Sequence, residues 1–215
     1  MQVVNCPDNW EYEKHANYYL LPIKCIELLI SLRSNTITTA IPSETRLAHR
    51  CLFSMLTPQG LSYFAGCYRG CSFQCLKYYE VQIKNDPRVG TKTNYVQYEM
   101  QLLSKVINDG MVALDVANQI PNAQLAEEDK IYFVVTFACK IFVEFLRIHP
   151  YANGNGHIGR YIIWAILGKY GIWPKQWPMH DRPPDPPYSS YISTYRNGNQ
   201  TLLEEFVLKC VLGTA

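Results

Sequence analysis

The sequence predicts a mainly α-helical fold with one short β-hairpin, and three observations carry that expectation. Apolar residues recur at helical spacing in most of the longer segments. Strand-type alternation is confined to Glu80-Val81-Gln82-Ile83. Glycine- and proline-rich breaks, above all HPYANGNGHIGR at His149 to Arg160, fall between apolar runs rather than inside them. The 215 residues suffice for one domain with a substantial core, and 1–215 is read as a single domain.

Residues 22–32 read as a first helix, with Pro22 in its opening turn. Ser43, followed by Glu44 and Thr45, is the expected cap of a second helix running through Phe53. Residues 61–83 are rich in Gly, Cys and Tyr and end in the candidate strand. Tyr95, Tyr98, Leu102, Leu103 and Val106 give helical spacing to residues 94–107. Residues 127–148 are expected to form a helix buried on most sides, with Lys140, Glu144 and Arg147 as one solvated stripe. Residues 161–170 form a further helix, stopped by Gly171 and Pro174, and 201–212 the last. DRPPDPP at 181–187 reads as a stiff, extended loop.

A net charge of +2 gives no basic field for nucleic acid and no acidic field for a basic partner. The N-terminus carries early acidic residues and lacks the apolar core of a secretory signal. The apolar run 131–139 is too short to span a bilayer, and Lys140, Glu144 and Arg147 follow it. These features lead to the expectation of a cytoplasmic protein, or one delivered into a host cell by a signal not visible in the sequence. The eight cysteines are expected to be free thiols. Cys67, Cys71 and Cys75 would share a face if that stretch were helical, but no further ligand completes a metal site, so they read as small buried hydrophobes.

The chemistry concentrates at 149–160. Pro150 disfavours helical geometry at His149, so the preceding helix should stop there. The next helix opens near Gly156 or His157, with unpaired amides and a positive dipole end. Gly154 and Gly156, on either side of Asn155, let an anion approach the backbone, and phosphate suits such a nest. His157 and Arg160 are expected to reach toward it from one helix face. His149, with an ordinary pKa near working pH, suits a general base. Gly154, Gly156 and Gly159 also spell a dinucleotide fingerprint with Asp181 about twenty residues on. That motif needs a preceding strand, where a helix is expected here, and is set aside.

These residues resemble the signature of the Fic (Fido) family, HPFx[D/N]GNGRxxR, through His149, Pro150, Tyr151, Asn153, Gly154, Asn155, Gly156 and Arg160. The resemblance implies a Fic-type helical bundle with a hairpin flap, its core at about residues 20–212. It further implies transfer of AMP from ATP, with Mg²⁺, to a Ser, Thr or Tyr hydroxyl of a target protein. His149 would be the base, Asn153 would meet the metal, Gly154, Asn155 and Gly156 would form the anion hole, and Arg160 would hold a distal phosphate. Gly66-Cys67-Tyr68-Arg69 resembles the GxYR stretch before the family's flap, so that Val81, Gln82 and Ile83 would dock the target by backbone pairing. His157 replaces the first motif arginine and grips phosphate less firmly. Asn153 is neutral where many members carry aspartate. Another phosphate-bearing donor, removal of AMP, or a silent nucleotide-binding adaptor are the alternatives. Thr38 falls where the family's inhibitory glutamate belongs, and Thr201 and Glu205 keep a related spacing near the C-terminus.

Overall fold

The computed structural model describes residues 5–34, 44–81 and 86–215. Seven α-helices lie among them: α1 (Leu21–Arg33), α2 (Thr45–Phe53), α3 (Thr93–Gln119), α4 (Glu127–Ile148), α5 (Asn155–Lys169), α6 (Tyr188–Arg196) and α7 (Thr201–Leu212). The chain is mainly helical, and no β-strand occurs among the described residues. Val81 lies in irregular backbone, while Gln82 and Ile83 fall outside the described residues, as do Ser43 and Thr38.

Local chemistry explains most boundaries. Pro22 sits in the first turn of α1, where its missing N–H costs nothing. Glu44 caps α2 by accepting the Arg46 amide at 3.0 Å. Helix α3 runs twelve residues past the expected end at Ile107, because Asp109-Gly110 does not break it. Gly110 is a packing residue: a Cβ there would overlap the ring of Phe137 on α4. The intrinsic cost of glycine in a helix, about 1 kcal/mol, is offset by the close approach of two helices.

Helices α4 and α5 form the centre. Val135, Ala138, Ile141, Phe142 and Phe145 of α4 and Ile158, Ile162, Ile163 and Ile166 of α5 have no solvent exposure. Gly159 lets α5 approach so closely that a Cβ would stand 2.9 Å from the Phe142 ring. Helices α1 and α2 pack against α5, α3 against α4, and α6 and α7 against the far side of α4. Around this pair one continuous hydrophobic cluster gathers residues from Trp10 to Cys210. No helix among the described residues is long and apolar enough to cross a membrane.

The expectation of free thiols fails at two positions, since Cys6 and Cys75 form a disulfide across 69 residues of sequence. The N-terminal segment folds back over the 61–80 stretch, a proximity that sequence spacing hides. That stretch consists of turns and short 3₁₀ segments, so the four-residue cysteine spacing does not define a face. Cys25, Cys139 and Cys210 are free thiols buried in the core, whereas Cys67 and Cys71, expected to be buried, are free and only half-buried. Trp10 and Tyr12, held by the bridge, join the core near α2. Cys75→Ser is expected to lower unfolding stability by about 2–4 kcal/mol, the usual contribution of a native bridge closing a long loop. Denaturant unfolding measures this, and an unchanged midpoint would show that the bridge contributes nothing.

Candidate active site

Helix α4 ends at His149 in the left-handed conformation, φ 55° and ψ 59°, the only positive φ of a non-glycine residue among the described residues. Such a conformation costs on the order of 1–3 kcal/mol and needs outside support. Arg69 supplies it. Its guanidinium is fully buried and donates from Nε to the His149 carbonyl at 2.9 Å, from Nη1 to Tyr79 at 3.1 Å, and from Nη2 to Thr91 at 2.9 Å and Ile148 at 3.3 Å. Its backbone N–H donates to Pro150 at 2.8 Å. The carbonyls on both sides of the turn are thereby fixed.

Among the described residues, the His149 ring makes one polar contact, Nδ1 to the Leu146 carbonyl at 3.4 Å. A carbonyl only accepts, so the contact favours the tautomer with the proton on Nδ1 and leaves Nε2 as the basic atom. Burial pushes the His149 pKa down to about 4, and the charges of Arg69 and Arg196 push the same way. The imidazole is therefore neutral at physiological pH.

The connecting loop is braced by its own side chains. Asn155 accepts the Tyr151 amide and donates to the Tyr151 carbonyl, both at 2.9 Å. The Tyr151 ring stacks on His49 at 3.8 Å, and its hydroxyl meets Thr45 at 2.7 Å. Gly154, at φ +79°, precedes the first turn of α5; a Cβ there would collide with the Phe53 ring as well as strain the backbone. The first α5 bond runs from the Ile158 N–H to the Gly154 carbonyl. The amides of Asn155, Gly156 and His157 thus precede the intrahelical ladder, as an anion hole requires.

A cavity of about 370 Å³ opens beside this turn. His149, Gly156 and Arg160 line it, with Leu146, Val89, Tyr188 and Ile192 as its apolar wall and Arg182 and Arg196 completing its edge. Arg160 is buried and donates from Nε to the Met179 carbonyl at 3.1 Å and from Nη2 to the His180 carbonyl at 2.9 Å. Its Nη1 points toward Gly156, 3.4 Å from where a Cβ would stand.

Two of the expected site residues face away from this cavity. His157 does not line the cavity. One residue past Gly156 is a rotation of about 100° around the helix, which turns His157 toward Tyr12, Phe53 and His180, with Nδ1 3.4 Å from the Tyr12 hydroxyl. Burial pushes its pKa down to about 3, with Arg160 adding to the shift, so it carries no charge toward a phosphate. Asn153 is turned away as well. Its Nδ2 donates to the Trp10 carbonyl at 2.7 Å and its Oδ1 accepts the Gly154 amide at 2.8 Å. No carboxylate lines the cavity, and no cluster of metal-binding side chains exists among the described residues. A protein-held Mg²⁺ does not fit these residues.

Sequence reasoning missed Arg182 and Arg196, which belong to no motif, and it gave Arg69 no role beyond the flap stretch. It also missed Trp10, whose carbonyl holds Asn153 across 143 residues of sequence.

Compared with known proteins, residues 90–167 match the Fic/DOC family model. No curated protein matches the chain. The match spans α3, α4, the turn and nearly all of α5.

His49, His149 and His157 are held neutral, with pKa values down to about 3, 4 and 3. Unfolded, each would titrate near 6.5. Below that pH the unfolded chain binds protons that the folded chain refuses, so stability falls as pH drops from about 6.5 toward 4. A melting series should show Tm lower at pH 4.5 than at pH 7.5, by about 2–4 °C per kcal/mol lost for a chain of this size. A flat Tm would contradict the burial of neutral imidazoles.

Proposed function

We propose, taking as premise that the chain carries a Fic (Fido) domain, that it is a protein adenylyltransferase. Fic-domain proteins are generally transferases of nucleotidyl or phosphoryl groups acting on protein targets. The observation that carries the finer reading is that a neutral His149, its Nε2 without a partner among the described residues, and Gly156, in the opening turn of α5 where the amides precede the intrahelical ladder, line one arginine-lined cavity.

ATP would lie with its phosphates at the N-terminus of α5. A target Ser, Thr or Tyr oxygen attacks the α-phosphorus, and a new O–P bond forms. The bond between the α-phosphorus and its bridging oxygen to the β-phosphate breaks. Pyrophosphate leaves with that electron pair, and the hydroxyl proton passes to His149 Nε2. The amides at 155–157 and Arg160 Nη1 face the growing negative charge, so the chain acts mainly by positioning and neutralisation. Mg²⁺ would enter on the triphosphate rather than on a protein ligand. Backbone pairing of the target along Val81, Gln82 and Ile83 is part of the same proposal and is supported by the family resemblance of the preceding Gly66-Cys67-Tyr68-Arg69.

The test is transfer of labelled AMP to the chain itself or to lysate proteins. His149→Ala is expected to lower transfer by about 10²–10⁴-fold, the usual contribution of a general base. In the wild type the acidic limb of the pH–rate profile should fall near pH 4, because protonation of His149 at about 4 removes the base. Label retained in full by His149→Ala would remove His149 from the chemistry, and an acidic limb near 6.5 would contradict the depressed pKa of its imidazole.

A further inference from the structure

The sequence leaves the donor's phosphates with one fewer cation than the motif ordinarily provides, because His157 stands at the first arginine position and points into an aromatic cluster. The structure points to a replacement. We propose that the polyphosphate chain of the donor is gripped by Arg160, Arg182 and Arg196 together, the last two taking over the charge that His157 does not supply. The assignment rests on the nucleotide reading above and deepens it.

Among the described residues, three guanidiniums and no carboxylate line this cavity. Such one-sided charge on a partly apolar concavity selects a multiply anionic ligand. A mononucleotide would present fewer charges than three arginines can meet. Each arginine is already oriented. Arg160 is fixed by two backbone carbonyls, with Nη1 left toward Gly156. Arg182 is held on one edge by Asp185 at 2.7 Å and lies over the Tyr188 ring, 5.5 Å from its centroid. Arg196 is held on one edge by Asp86 at 3.2 Å, and its buried Nε has no acceptor among the described residues. The two aspartates hold these side chains without lining the cavity, so they set the forks without occupying the ligand's place. Arg182 and Arg196 come from the loop before α6 and from its last residue, so the grip is assembled outside the region from 90 to 167 that matches the family model.

Titration calorimetry of the full chain with ATP, inorganic tripolyphosphate and AMP tests the assignment. The Arg182 side chain is 58% exposed, so Arg182→Gln should leave the fold intact. That change is expected to weaken ATP and tripolyphosphate by about tenfold, the size of one charge-assisted contact, with a much smaller loss for AMP. Arg196→Gln should do the same. Because it also removes one of the two arginines that hold Asp86, its melting temperature is read alongside, and Arg196→Lys, which keeps the charge, should recover part of the affinity. Lys140→Gln removes an equal charge from the α4 surface and should change nothing. Wild-type affinity in both Arg182→Gln and Arg196→Gln would overturn the assignment, as would a wild-type chain that binds neither ATP nor tripolyphosphate. A chain that binds both through these arginines yet transfers no AMP would sustain it and refute the transferase reading alone.

Discussion

One guanidinium that water does not reach ties four carbonyls from three stretches of chain. Arg69 gathers Tyr79, Thr91, Ile148 and His149, and its amide adds Pro150. Burying a cation is costly, and Glu80, half-exposed at 3.6 Å, offsets only part of that cost. The carbonyls supply the rest, which makes the arrangement all-or-none: remove the cation and four carbonyls, two of them in buried bonds, lose a donor. Gly70 belongs to the same device. It sits at φ +79°, and a Cβ there would overlap the Thr93 carbonyl, so the segment carrying Arg69 can lie against the start of α3 only with glycine at that position.

From that constraint the site follows. With its carbonyl held, His149 keeps a backbone conformation it would otherwise leave, and its ring stays at the cavity wall. The end of α4 is the negative pole of a helix dipole and would by itself favour a protonated imidazole. Burial and two nearby arginines prevail, and the ring is neutral. A few residues on, the positive pole of α5 presents its free amides. The His149 imidazole and the opening turn of α5 thus stand side by side because two helices meet at opposite ends across a loop that glycine closes and Asn155 braces. The N-terminal segment reinforces the outer face, where Trp10 holds Asn153 and Tyr12 covers His157.

The helical class, the bounds of α4 and the turn at His149 were all legible, because periodicity and a proline or glycine at a helix end are local signals. The extension of α3 past Ile107 was not legible, because Gly110 is held in the helix by its close approach to Phe137 of α4, a contact distant in sequence. The surroundings of His157 were not legible for a similar reason: spacing places it one step from Gly156, but which neighbours lie on that side depends on α2 and the N-terminal segment. The Cys6–Cys75 bridge and the contributions of Arg69, Arg182 and Arg196 are contacts between stretches far apart in the chain, and no short motif encodes them. The turn that carries the family resemblance was the readable part, and the charges that surround it were not.

The central claim is that a neutral His149 faces the α-phosphate of a bound nucleoside triphosphate. A crystal structure with a non-hydrolysable ATP analogue tests it most directly. The account predicts phosphates lying against the amides of residues 155–157, with the α-phosphate beside Nε2 of His149 and the outer phosphates among the arginines. A nucleotide seated elsewhere, or a His149 ring rotated into the core away from it, would contradict the account.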